Sequence, residues 1–332
     1  MSVERGVAGL EAACGVRFQR IAVARAETRR RLRERQDRLR SEGIVIDNDA
    51  TIVLTGSWGR HEITSESDDD FMVLFSGSPR DSALPSVEDA AIALGARPPG
   101  REDIFGTHVW LDDLQRKIGR AEDSNANLTR RMLLILESVA VCGETVHADA
   151  RAALIAGYLD ANVKDYRPPR FLLNDLVRYW RTIAVDFESK MRARRGEGWG
   201  LRNAKLRLSR KALFAGGLLP VLECYRYSND GMLDYLCERM SVPPLDRIAD
   251  AFVAHGAVDA GVRVMNAYDA FLGILDDQDK RRELTELGVE NSSESLLFAR
   301  IAELGEEFQA GLLALLFDDP ELRRWVREYL IF

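Results

Sequence analysis

An apolar run, TIVLTGS (51–57), leads into Gly56-Ser57. A short polar stretch follows, and three consecutive aspartates, Asp68-Asp69-Asp70, open a second apolar run, DDFMVLFSG (69–77). The β-branched and aromatic residues of both runs predict strands. The chemistry of the stretch can be read piece by piece. Gly56 has no Cβ, so a phosphate can approach its backbone closely. A helix starting near Ser57 would turn free N–H groups and a positive end toward a triphosphate, and the Ser57 hydroxyl adds a donor. Asp68 and Asp70 are two residues apart, and a strand places alternate side chains on one face. Both carboxylates are then expected to point at one spot and hold Mg²⁺ (or Mn²⁺), with Asp69 facing the other way. Magnesium shared between the carboxylates and a triphosphate would neutralise charge as pyrophosphate leaves. An aspartate run alone reads as a solvated turn. The glycine-rich turn and the flanking apolar runs reverse that reading.

This stretch resembles the DNA polymerase beta-like nucleotidyltransferase superfamily. That superfamily's pattern is an apolar residue, Gly, then Gly or Ser, a spacer, and Asp-x-Asp on a strand, matched here by Leu54 to Ser57 and Asp68 to Asp70. Within it the match is nearest to the branch of the PII-protein uridylyltransferases and related nucleotidyltransferases, which show Gly-Gly-x-Gly-Arg-x-Glu followed by Ser-Asp-x-Asp. The chain has Gly56-Ser57-Trp58-Gly59-Arg60-His61-Glu62, then Ser67-Asp68-Asp69-Asp70. The resemblance implies that Asp68 and Asp70 are metal ligands, that Arg60 helps hold phosphate, and that Glu62 orients Arg60 or the loop. Two departures stand out. The position between the metal aspartates, usually apolar, is Asp69. The superfamily's third carboxylate, which handles the proton of the attacking hydroxyl, falls on Asp103 at the start of IFGTHVWL (104–111), with Asp112 and Asp113 as competitors. Trp58 fits either a lid over the nucleotide or a hydrophobic cap, and His61 and His108 are expected to be structural.

Residues 3–41 read as one long helix, rich in alanine and arginine and ending near Gly43. Strands are expected over 44–46, 51–57, 69–77 and 104–111, with a short helix at 86–96. Beyond residue 112 the strand signals fade, and apolar residues recur at helical spacing to the end of the chain. The expected fold is therefore α+β: an N-terminal helix (1–41), a small mixed-sheet nucleotidyltransferase core (42–120) and an all-helical substrate-recognition domain (121–332). Helix 125–138 leads into that last domain, with Glu137 structural. No apolar run is long enough to span a bilayer, and the N-terminus does not read as a signal peptide. The four cysteines are dispersed without a CxxC spacing, so zinc and a disulfide framework are not expected, and a cytoplasmic setting is.

The net charge of −7 conceals two basic stretches. Residues 17–40 carry +7, most simply a solvated helix face with ion pairs. Residues 190–211 carry +8, which leaves −22 on the remainder. There Leu201, Ala204, Leu208 and Ala212 mark a buried face, and Arg202, Lys205, Arg207, Arg210 and Lys211 occupy the rest. Lys205 and Arg207 are expected to meet the triphosphate or an anionic acceptor; a surface helix paired with acidic residues is the alternative. The expected activity is transfer of a nucleoside monophosphate from a nucleoside triphosphate to a hydroxyl on a protein, a nucleic-acid end or another nucleotide, without a membrane partner. A non-catalytic nucleotide-binding regulator and a nucleic-acid-binding protein with a degenerate site are the competing expectations.

Overall fold

The two uninterrupted apolar runs are realised as adjacent antiparallel strands. In the computed structural model, which describes residues 5–41, 49–77, 90–91, 94–95, 104–159, 163–193 and 196–331, β1 (Ala50–Leu54) pairs with β2 (Phe71–Phe75), Ile52 opposite Val73. β3 (His108–Trp110) lies parallel to β2, and β4 (Val139–Cys142) antiparallel to the other edge of β1. The order among the described residues is β3-β2-β1-β4, a mixed sheet in a mostly helical chain, so the fold is α+β. β1 and β2 are buried on both faces. One face, carrying Ile52, Leu54, Phe71, Val73 and Phe75, packs with Trp58, Ile63 and Leu39 into a single apolar cluster.

Two helices replace the single N-terminal one. α1 (Gly6–Cys14) closes at Gly15, whose φ of 72° gives the left-handed cap that a side-chain-bearing residue adopts only at a cost. α2 (Gln19–Ser41) then begins anew. The strand β4 was hidden in what reads as one helix. α4 (Asn125–Leu136) stops at Glu137, and Val139-Ala140-Val141-Cys142 pairs with β1. The intervening α3 (Leu111–Arg116) follows β3, and α5 (Glu144–Tyr158) follows β4. Strand β2 starts later than expected, at Phe71, although the Thr55 N–H donates to the Asp70 carbonyl at 2.8 Å and carries the ladder one step further. The expected strand at 44–46 lies outside the described residues, as does most of the expected helix 86–96.

The chain forms two compact units whose limits differ from the boundaries expected at 41 and 120. One comprises residues 25–165 and 227–243: the sheet, most of α2, α3 to α5, and α9 (Asn229–Met240). The other comprises 1–24, 166–226 and 244–332, and its described elements are all helices. It holds α1, α6 (Arg170–Ala193), α7 (Trp199–Lys205), α8 (Lys211–Glu223), α10 (Pro244–Ala254), α11 (Val258–Asp276), α12 (Gln278–Glu286), α13 (Leu296–Asp318) and α14 (Pro320–Val326). In this unit α10 satisfies the start of α1. Asp250 Oδ1 accepts from the Gly6 N–H at 2.6 Å and Asp246 Oδ1 from the Val7 N–H at 2.8 Å. Those N–H groups have no intrahelical acceptor, and a carboxylate also favours the positive helix end. No helix among the described residues is long and apolar enough to cross a membrane.

Candidate functional site

Between β1 and β2 the chain folds through tight turns, not the helix expected near Ser57. The Arg60 N–H returns to the Gly56 carbonyl at 3.0 Å, that of His61 to Trp58 at 3.1 Å, and that of Glu62 to Ser57 at 2.8 Å. The N–H groups of Ser57, Trp58 and Gly59 find no acceptor among the described residues. Gly56 is left-handed, with φ 66°, and a Cβ there would stand 3.4 Å from Asp70 Oδ2. The Asp70 carboxylate therefore overhangs the start of the turn, directly against the glycine.

The side chain of Trp58 is buried, packed into the apolar cluster with Ile63 and Leu54; it is the cap, not an exposed lid. Its indole Nε1 donates to Asp69 Oδ1 at 3.0 Å, while Arg35 of α2 reaches Asp69 Oδ2 at 2.9 Å. Asp69 shares strand parity with Phe71 and Val73, and those side chains face the same cluster as Trp58. Asp68 and Asp70 belong to the opposite parity; Asp68 is exposed and Asp70 half-buried. Burial pushes the Asp69 carboxyl above its ordinary range, against the pull of Arg35 and of the Trp58 hydrogen bond. The charged residue between the two presumed ligands is thus a structural anchor.

Arg60 is buried, and its guanidinium is occupied by two carboxylates. Nε donates to Glu62 Oε2 at 3.0 Å, and a second nitrogen contacts Glu137 at the end of α4. Glu62 orients Arg60, but the pair faces the protein interior and ties the turn to the α4–β4 junction. Gly59 adds to this seam, because a Cβ there would overlap the Glu137 carbonyl. The geometry makes Arg60 a positioning residue for the turn in place of a phosphate ligand.

The second half of α2 lies along the same turn. Thr28 Oγ1 accepts from the Ile63 N–H at 3.3 Å, and an Arg31 guanidinium nitrogen reaches the Thr64 carbonyl at 3.4 Å. Several arginines of the 17–40 stretch do form the expected exposed pairs, such as Arg30 with Glu27 and Glu34. Arg31 pairs with Glu27 at 2.6 Å and also reaches the turn, while Arg35 points at it. The signal for Arg35 was in the sequence: Thr28, Leu32, Arg35 and Leu39 make one helical stripe, and Leu32 and Leu39 are its apolar members.

Asp103 lies outside the described residues. Asp112 and Asp113 sit on α3, paired with Arg116 at 2.9 Å and Lys117 at 3.4 Å. Among the described residues no group of three or more His, Cys, Asp or Glu side chains gathers as a metal cage would. Two carboxylates suffice for magnesium, which keeps several waters and takes its remaining ligands from substrate phosphates. Asp70, whose carboxylate stands against Gly56, and Asp68 two residues before it supply oxygen donors of the kind that mode of binding uses. Lys205 and Arg207 belong to the helical unit, and the sheet unit holds all the other described candidates. No protein-family model matches the chain, and no curated protein matches its sequence.

Proposed function

We propose that the chain is a metal-dependent nucleotidyltransferase that moves a nucleoside monophosphate from a nucleoside triphosphate to a hydroxyl acceptor, releasing pyrophosphate. One observation carries the reading: the Asp70 carboxylate overhangs Gly56, while Asp69 is held the opposite way by Trp58 and Arg35. An aspartate run that served only as a solvated turn would not need its middle member anchored in the core. Asp68 and Asp70 hold Mg²⁺ (or Mn²⁺), which supplies charge neutralisation on the triphosphate. The N–H groups of Ser57, Trp58 and Gly59, with the Ser57 hydroxyl, receive phosphate oxygens. Arg60, Glu62 and Glu137 keep the turn in place. The acceptor oxygen attacks the α-phosphorus, the bond to the β-phosphate oxygen breaks, and the hydroxyl proton passes to a carboxylate, the role assigned to Asp103. The acceptor is anionic, a protein, nucleic-acid end or nucleotide.

The test is incubation of the full chain with each α-labelled nucleoside triphosphate, Mg²⁺ or Mn²⁺, and cell extract, followed by identification of the labelled product. Label transfer that disappears in Asp70→Ala is expected. Binding of nucleotide with no transfer under either metal overturns the reading.

A further inference from the structure

The helical unit holds a second cluster that the proposed transfer does not use. A π-helical turn, Leu206–Arg210, joins α7 to α8, and it places Arg207 one turn before Lys211. The stem of Arg207 lies over Gly305 of α13, where an added Cβ would stand 3.3 Å from Arg207 Cβ. Its guanidinium stands 5.9 Å from the centre of the Phe298 ring, and Nε donates to Asn203 Oδ1 at 2.7 Å. Lys211 Nζ donates to Gln309 Oε1, also on α13, at 2.7 Å. Both side chains are half-buried.

What sets the pair apart is the nature of these partners. Earlier cations of the same basic stretch meet acids, Lys190 with Asp186 at 3.1 Å and Arg192 with Glu188 at 3.1 Å. Arg207 and Lys211 meet amide oxygens and a ring, and neither reaches a carboxylate among the described residues. An amide oxygen satisfies an N–H but cancels no charge. Burial, and after it the charge of Arg207, holds the Lys211 ammonium below its ordinary range. Two like charges withdrawn from water side by side oppose folding, and an anion between them reverses that term. Arg supplies a planar fork and Lys a point charge, a pairing suited to phosphate oxygens.

We propose that Arg207 and Lys211, flanked by Asn203 and Gln309, form a metal-independent binding site for the phosphate groups of a ligand. The site stands on the helical unit's own residues and does not depend on the transferase reading.

The experiment titrates inorganic pyrophosphate into the full chain in EDTA by calorimetry, with thermal melts in parallel. Arg207→Met and Lys211→Met keep the stems and remove the charges. Each is expected to weaken pyrophosphate by about tenfold, the loss of one charge-assisted contact. Each ligand-free variant is expected to melt at or above the wild-type temperature, because a like-charge repulsion is gone. EDTA removes the metal that the aspartates would need, and Lys190→Met, which removes a cation already paired with Asp186, binds pyrophosphate as wild type does. A short oligothymidylate run alongside distinguishes the source of the phosphate. A free polyphosphate ligand gives tighter pyrophosphate binding, and a nucleic-acid backbone gives tighter, steeply salt-dependent oligonucleotide binding. If neither ligand responds to either methionine variant, or if the variants melt lower with binding unchanged, the pair is structural and the proposal fails.

Discussion

The indole N–H of Trp58 is hydrogen-bonded to Asp69 Oδ1 at 3.0 Å, and Trp58 itself is buried in the core beneath the turn. This bond, with the Arg35 contact, holds Asp69 toward the core. Asp69→Ala leaves the Trp58 N–H buried without an acceptor, at about 1–3 kcal/mol, and frees Asp68 and Asp70 to reorient. Asp69→Asn keeps a carbonyl oxygen for Trp58 and removes a carboxylate whose ionised form burial opposes. The expected outcome is a clear loss of stability and transfer for Ala, and near wild-type behaviour for Asn. Denaturant unfolding and the labelled-transfer assay check both; equal losses in the two variants would remove the anchoring role.

Asp68→Ala and Asp70→Ala are expected to abolish transfer without lowering the melting temperature, because two neighbouring carboxylates repel each other. Ser57→Ala is expected to weaken nucleotide binding by several-fold through one lost hydroxyl donor. Full activity with Mg²⁺ in Asp70→Ala would show that the carboxylate over Gly56 is not a metal ligand. The third acid is tested in the same series. Asp103→Asn is expected to lower the transfer rate while nucleotide affinity holds, and Asp112→Asn and Asp113→Asn are expected to be silent, since both acids are engaged on the surface of α3.

Arg60 gives the opposite pattern. Its guanidinium is shared by Glu62 and Glu137, and all three side chains are buried. Arg60→Met removes the cation shared by two buried carboxylates, a change that costs about 3–5 kcal/mol. Replacing Arg60 and Glu137 together by Met removes one of those two carboxylates as well and is expected to recover part of that loss. Urea unfolding of the single and double variants measures the difference. A phosphate ligand would instead lose affinity with stability intact, so an unchanged unfolding midpoint in Arg60→Met would return Arg60 to the phosphate.

That Asp69 turns away from Asp70 was legible from period two, and the structure has Asp69 against Trp58 and Arg35 and Asp70 against Gly56, although β2 itself begins at Phe71. The role of Asp69 was less so, because its partners come from α2, over thirty residues away, and from a tryptophan whose burial no local pattern reveals. β4 was missed because only Glu137 and Ser138 separate the apolar run MLLIL of α4 from VAVC, and helical spacing can be traced through both. The signal for a strand was the pair Val139 and Val141 ahead of Gly143. The break after α1 was signalled by Gly15 alone. The return of residues 227–243 to the sheet unit had no local cue, because it depends on packing of α9 against α5.

A histidine in the helical unit couples its stability to pH. His255 follows α10, with its side chain almost fully buried; Nδ1 lies 2.8 Å from Asp319 Oδ2 and Nε2 lies 3.1 Å from Glu223 Oε1. Burial opposes a charge on the imidazole, but the hydrogen bonds to Glu223 and Asp319 outweigh it and raise its pKa above the ordinary 6.5. Arg226 also faces the ring, 3.0 Å from Nε2, and shares Glu223. Asp319 additionally caps α14, its Oδ1 accepting from the Leu322 N–H at 2.8 Å, and its carboxyl is held below the ordinary 3.8. A pKa raised on folding contributes stability that is complete below the unfolded value and is lost as pH climbs through the folded one. The imidazolium contribution is therefore full below about pH 6.5 and fades at higher pH. At the acid end, the contribution of Asp319 fades as pH falls through its lowered value. His255→Leu is expected to cost about 2–3 kcal/mol near pH 5.5, the scale of charged hydrogen bonds lost from a buried site. The cost should shrink steadily as pH rises past neutrality. Urea unfolding of both proteins from pH 5 to 9 measures this, and a difference that stays flat or grows with pH would mean that His255 is neutral in the fold.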